Sequence, residues 1–159
     1  MPANQTHIVE QFYAALNAKD LLTLRSLYHP KAEYNDEIFS LNYKEILALW
    51  YSSMQPEMEL VAEVHSIDQQ KESIVTHWTI SYTIASINKR IILDEVGRFE
   101  FQDGLIIRHT DEYSFYRWCA QAFGVAGMLA SWSKWLRKKV RNQAYSSINA
   151  NIYAANSME

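Results

Sequence analysis

Residues 97–113, GRFEFQDGLIIRHTDEY, decide the fold. They read as two strands joined by a tight turn. Gln102-Asp103-Gly104 is that turn, because glycine tolerates the positive φ a hairpin loop needs. Beyond the turn, alternation places Leu105, Ile107, His109, Asp111 and Tyr113 on one face and Ile106, Arg108, Thr110 and Glu112 on the other. A face that begins Leu-Ile and ends His-Asp-Tyr is apolar at one end and able to do chemistry at the other. A small-molecule pocket lined by a sheet requires that combination.

Upstream of the hairpin, the middle of the chain is all strand. Met58–Ile67 is followed by the polar turn Gln69-Gln70-Lys71-Glu72 and then Ser73–Ile87. There Ile74, Trp78, Ile80, Tyr82 and Ile84 alternate with Val75, His77, Thr79, Ser81 and Thr83. Arg90–Phe101 and Leu105–Phe115 complete the run. The N-terminal part is helical. Ile8, Phe12 and Leu16 form an apolar stripe with Thr6 as candidate N-cap, and Leu21, Leu24 and Leu27 or Tyr28 form a second stripe after a break at Ala18-Lys19-Asp20. Ala32–Phe39 reads as a short strand on which Ala32, Tyr34 and Asp36 share a face. Residues 43–53 form a third helix, stopped by Pro56.

Downstream, residues 114–123 read as a helix ending at Gly124, a C′ glycine. A further helix over 132–145 carries Trp132, Trp135 and the basic run KWLRKKVR, which reads as a solvated amphipathic face or, through its two Trp residues, a lid over the cavity or a dimer contact. From Ser146 the chain is polar and is expected to fray. Helices followed by long antiparallel strands define an α+β fold. The expected arrangement is a curved antiparallel sheet with the helices on one face, its concave side and the helices enclosing a cavity. The organisation is one domain over 1–159: a core at 7–115, a C-terminal helical extension at 116–145 and a flexible tail at 146–159.

The bulk numbers narrow the function classes. The chain has 159 residues, 48% hydrophobic and 21% charged, with a high aromatic share of 13%. That share implies a thick core, a pocket or a subunit interface. The net charge of −3 gives no reason to expect a nucleic-acid partner. One cysteine, Cys119, excludes an internal disulfide framework and a cysteine metal site. His29, His65 and His77 form no metal-binding spacing, so no metal and no cofactor are expected. No signal peptide and no membrane span are visible, so a cytoplasmic location and no membrane partner are expected.

Three stretches, FYAALNAKDLLTLRSLYHPKAEYND (12–36), LALW (47–50) and FEFQDGLIIRHTDEY (99–113), resemble the nuclear transport factor 2-like superfamily, and within it the SnoaL-like and ketosteroid-isomerase-like proteins. The resemblance implies a cone-shaped half-barrel with an apolar pocket, a hydrophobic small-molecule ligand, and a homodimer formed through the convex sheet face carrying His77, Thr79, Ser81 and Thr83. It also implies a pocket acid acting as general base. Asp36 matches the isomerase position and Asp111 the SnoaL-like one. The isomerases' enolate donors fall on Phe12 and Gly97, which can donate nothing from a side chain. Loss of one such donor typically costs about 2.7–4 kcal/mol of barrier, so steroid isomerisation is not expected. An epoxide-hydrolase-like set of Asp94, Arg98 and Asp111 is disfavoured, because Asp94 and Arg98 fall on the face opposite Gly97 and Phe99.

The candidate catalytic residues are therefore Asp36, His109 and Asp111, and the candidate pocket residues are Phe12, Tyr34, Trp50, Glu95, Gly97, Phe99 and Tyr113. Asp36 reads equally as a base or as a cap of the following turn. His109 and Asp111, side by side on one strand, are expected to reach a common ligand but not each other. Glu95, if inward, needs a partner, since an unpaired inward carboxylate is costly. The functions compatible with this set are a cofactor-independent acid/base enzyme on an apolar or polycyclic molecule, a non-catalytic binding module, or an assembly role with the pocket filled by its own side chains.

Overall fold

The computed structural model describes residues 2–158. Two helices open the chain, α1 (Pro2–Ala18) and α2 (Leu21–Leu27). Lys19 breaks them with a φ of 59°, and the Asp20 side chain caps α2 by accepting from the Thr23 backbone N–H. Helix α1 begins ahead of Thr6, which lies inside it. Strand β1 (Tyr28–Asn35) starts earlier than alternation from Ala32 implies, and a three-residue β2 (Ser40–Asn42) pairs back onto it. Asn42 and Glu45 form a reciprocal capping box that starts α3 (Tyr43–Ser53). A 3-10 turn at Pro56–Met58 leads into β3 (Val61–Gln69) and β4 (Ser73–Ile84). A second one, Ala85–Ile87, leads into β5 (Lys89–Gln102) and β6 (Leu105–Glu112).

The six strands form one curved, unclosed sheet in the order β2-β1-β6-β5-β4-β3. It is mixed, not purely antiparallel: β1 runs parallel to β6. Parallel neighbours need a long crossover, and all of α3 to β5 intervenes between these two. The β5–β6 turn has positive φ at both Asp103 (54°) and Gly104 (77°), as a two-residue hairpin loop requires. Beyond it, Phe101 pairs with Ile106 but Glu100 with Arg108, so Ile107 is an extra residue in β6. This bulge switches faces. Ile106, not Ile107, enters the core, while His109 and Asp111 keep the inner face.

Two stretches of strand backbone without a neighbouring strand, one on edge strand β3 and one on β5 beyond its pairing with β6, are closed by amide side chains. Asn17 of α1 bonds the N–H and the carbonyl of Ala62 on β3, each at 2.8 Å. Beyond the end of β6, Gln121 bonds Ile92 of β5 in the same way, at 2.7 and 2.8 Å. A side-chain amide carries one donor and one acceptor, so it satisfies an exposed strand residue and blocks edge pairing.

The C-terminal region departs most from expectation. Helix α4 (Phe115–Ala130) breaks at Gly124, whose φ of 67° and ψ of −153° are not helical, and then resumes. Helix α5 runs from Lys134 to Asn156, so residues from Ser146 are helix and not a frayed tail. Ile148 and Ala155 are buried. Asn151 donates to Ser52 Oγ at 2.8 Å and Asn156 to the Lys44 carbonyl at 3.1 Å, fixing α5 on α3. Trp132 and Trp135 do not form a lid: they are 85% and 68% exposed. No described helix is long and apolar enough to cross a membrane.

Candidate functional site

The inner faces of β4–β6, helix α3 and helices α4 and α5 enclose a cavity of about 450 Å³. Its walls are mostly apolar and aromatic. Strand β4 supplies Trp78, Ile80 and Tyr82, α3 supplies Leu49 and Trp50, α4 supplies Trp118, and α5 supplies Val140, Ala144 and Ile148. Polar groups converge from the other strands: Tyr34 and Asp36 at the end of β1, Glu95 on β5, Asp111 on β6 and Tyr113 just beyond it.

Of the residues singled out from sequence, Tyr34, Asp36, Trp50, Glu95, Asp111 and Tyr113 line this cavity. Phe12, Phe99 and His109 do not; they lie in the core behind it, completely buried. Their rings pack together, with Phe99 stacked on His109 at 4.1 Å between centroids and Phe12 edge-on to both. Gly97 is also behind the wall. A Cβ there would meet Thr76 Oγ1 at 2.5 Å, the Tyr13 hydroxyl at 3.0 Å and Asp111 Oδ1 at 3.2 Å. Gly97 thus makes room for the buried Tyr13–Thr76 hydrogen bond of 2.7 Å. The inward tyrosine of α1 is Tyr13, one position beyond Phe12.

His109 and Asp111 touch, against expectation. Nε2 lies 3.2 Å from Asp111 Oδ1, because the imidazole leans along the strand far enough to close the two-residue gap. Its two partners suit one tautomer of the neutral ring. The Trp50 indole can only donate, and it does so to the Tyr28 hydroxyl oxygen at 3.2 Å. Nε2 faces the Asp111 carboxyl, so in the neutral imidazole it carries the hydrogen and Nδ1 accepts from the Tyr28 hydroxyl, 2.7 Å away. Nε2–H donates to Asp111.

The other oxygen of Asp111, Oδ2, lies 3.1 Å from the Tyr34 hydroxyl, which is also 3.0 Å from Asp36 Oδ2. One hydroxyl proton thus stands between two carboxyls. Asp36 Oδ1 accepts from the backbone N–H groups of Ile38 and Phe39, both at 2.7 Å, so Asp36 caps the turn with one oxygen and faces Tyr34 with the other. Burial raises the Asp36 carboxyl from 3.8 to about 6, against the lowering effect of those donors. Glu95 is 8% exposed and makes no hydrogen bond or ion pair among the described residues. Burial, then the facing Asp111 and Asp36, push its carboxyl well above the usual range. Tyr82 accepts from the Trp118 indole at 2.7 Å, which leaves its own proton free. Burial raises both Tyr82 and Tyr113, so both hydroxyls remain protonated donors.

Sequence reasoning did not single out Tyr28, Tyr13 or the α5 wall. Tyr28 was legible only as the end of a helical stripe, and the α5 residues lie in what read as extension and tail. Asp94 and Arg98 sit on the outer face, where Asp94 accepts from Thr79 at 2.8 Å and Arg98 bonds Gln70 and Ser73. Among the described residues no group of His, Cys, Asp and Glu is arranged to hold a metal ion.

A helix-backed, curved open sheet around an acid-lined cavity defines the nuclear transport factor 2-like class of protein. Residues 9–109 match the model of the SnoaL-like domain, and the chain belongs to that family. Among solved structures it is similar to an LEH-like epoxide hydrolase from M. tuberculosis (TM-score 0.66, 21% identity, 81% of this chain and 95% of that one). It is also similar to AclR, a putative hydroxylase from Streptomyces galilaeus (TM-score 0.65, 18% identity, 77% and 97%). A putative SnoaL-like polyketide cyclase from Jannaschia sp. CCS1 aligns as well (TM-score 0.67, 9% identity, 78% and 94%). At these identities the likeness concerns the fold. No curated protein matches the chain.

Proposed function

We propose that this protein is a cofactor-independent acid/base enzyme acting on a hydrophobic small molecule held in the cavity. The observation that carries the reading is the Tyr34 hydroxyl, within hydrogen-bonding distance of both Asp36 and Asp111 on the cavity wall. A group that titrates near 6 is suited to take a proton at neutral pH and return it. Asp36 is that group. Asp111, held by Nε2–H of His109 and by Tyr34, is its partner across the shared proton, and His109 acts as a positioning residue. Tyr82 and Tyr113 offer donors to an oxygen on which charge develops. The structural relatives named as epoxide hydrolase and polyketide cyclase supply the substrate panel: hydrophobic epoxides and polycyclic phenolic ketones. Once a compound is turned over, Asp36→Asn and Asp111→Asn should each lose most of the activity while staying folded. Full activity in both variants ends this reading.

A second reading, a binding module without chemistry, is favoured by Asp36 Oδ1, which is committed to the turn. It predicts a ligand that raises Tm and is recovered unchanged. In either case we expect a cytoplasmic homodimer formed through the outer sheet face. There Val61, Ser81 and Ile92 lie in one register row, with Val61 and Ile92 more than half exposed. Light scattering that finds a monomer rejects the dimer.

A further inference from the structure

The charge of the cavity wall points to a more specific ligand class. Four carboxyl groups line the cavity, Asp36, Glu57, Glu95 and Asp111, and no Lys, Arg or His does. Asp36 and Asp111 have hydrogen-bond donors from the protein. Glu95 has none among the described residues, although it is more than nine-tenths buried and faces the cavity. A buried carboxyl without a partner is costly, and natural folds retain one where something else supplies the partner. Metal binding is not what these acids are arranged for. Among aliphatic residues, the wall carries the aromatic side chains of Trp50, Trp78, Trp118, Tyr34, Tyr82 and Tyr113. Their π faces attract a positive charge, most strongly where water is excluded.

We infer that the cavity takes an organic cation, a protonated amine or quaternary ammonium on an apolar skeleton, with the positive group beside Glu95 and the skeleton against the aromatic wall. This rests on the reading that the cavity holds a small molecule, and narrows it. A neutral ligand would leave Glu95 in the protonated form that burial favours, whereas a cation beside it would draw it to the carboxylate. An anionic ligand would meet four carboxyls and no cation.

Three soluble probes of one shape and different charge test this: 3-phenylpropylamine, 3-phenyl-1-propanol and 3-phenylpropionate, titrated calorimetrically into the full-length protein at pH 7.5. The amine should bind at least about tenfold more tightly than the alcohol, as a desolvated cation over aromatic faces implies, and the propionate should not bind. In Glu95→Gln the amine should lose its advantage over the alcohol. Circular dichroism and Tm of the variant separate lost charge from lost folding. Equal binding of amine and alcohol, or an amine preference that survives Glu95→Gln, overturns the cation assignment but leaves the small-molecule cavity standing. Binding by none of the three, with no rise in Tm from the epoxides and ketones either, overturns both.

Discussion

The Tyr28 hydroxyl lies 2.7 Å from His109 Nδ1, and this contact joins the Trp50 indole to the imidazole behind the cavity wall. With the neutral imidazole's hydrogen on Nε2, facing Asp111, Nδ1 is the acceptor for the Tyr28 hydroxyl. The catalytic proposal therefore depends on a residue with no access to the cavity. Tyr28→Phe should leave both the Trp50 indole N–H and His109 Nδ1 buried without partners. The expected loss is about 1–3 kcal/mol of stability, the usual penalty for stranding a buried polar group. Urea denaturation measures it, and an unchanged midpoint would show that the chain of bonds is not what holds His109.

Asp36 should make stability depend on pH in a specific direction. Its folded value of about 6 is above its ordinary 3.8, so the folded state binds the proton more tightly. The stabilisation is fully present below 3.8 and is lost as pH rises through 6. A shift of this size corresponds to at most about 3 kcal/mol. Asp36→Asn keeps an oxygen for the Ile38 and Phe39 N–H groups and removes the charge. The variant should be more stable than the parent at pH 8, and its stability should change less between pH 4 and 7. A variant less stable than the parent at pH 8 would contradict the assignment.

Gly97→Ala should be poorly tolerated although the residue is in ordinary strand conformation. The new methyl would lie 2.5 Å from Thr76 Oγ1 and 3.2 Å from Asp111 Oδ1. Either the Tyr13–Thr76 bond breaks or Asp111 moves. We expect a loss of about 1–3 kcal/mol, the cost of overpacking, together with a drop in ligand affinity or turnover larger than that of an exposed control such as Gly104→Asn at the hairpin turn. Wild-type Tm and binding in Gly97→Ala would remove Gly97 from the site's support.

Helix α5 should be part of the pocket and of the fold. Ile148 is buried and lines the cavity. Ile148→Ala should cost about 2–5 kcal/mol, as buried aliphatic truncations do, and should weaken ligand binding. Deleting the chain from Ser146 onward should do more than either. If the truncated protein keeps its Tm, α5 is not docked as described.

Much of the architecture was legible in local pattern. The 3.6-residue stripes of α1 and α2, the alternation of β4 and the glycine turn at Gly104 report chemistry that acts over a few residues. Alternation likewise put Tyr34, Glu95, Asp111 and Tyr113 on inward faces. It failed within the hairpin at Ile106, because a single bulged residue inverts the phase and nothing in the composition of Leu-Ile-Ile marks which residue is extra. The α5 tail was misread for a related reason. Its polar residues, such as Asn151 and Asn156, look like solvated chain until α3 supplies their partners.

Sequence by itself determined the N-terminal helices, the four long central strands, the hairpin and the residue types able to carry a proton, since these follow from side-chain period and backbone freedom. Only the tertiary structure decided what those residues do together. The parallel β1–β6 pairing brings Tyr34 level with His109 and close to Asp111, although the chain separates them by more than seventy residues. A shared proton, an ordered imidazole and an uncompensated Glu95 are properties of that meeting. Each depends on burial and on partners from distant segments, which no local pattern encodes.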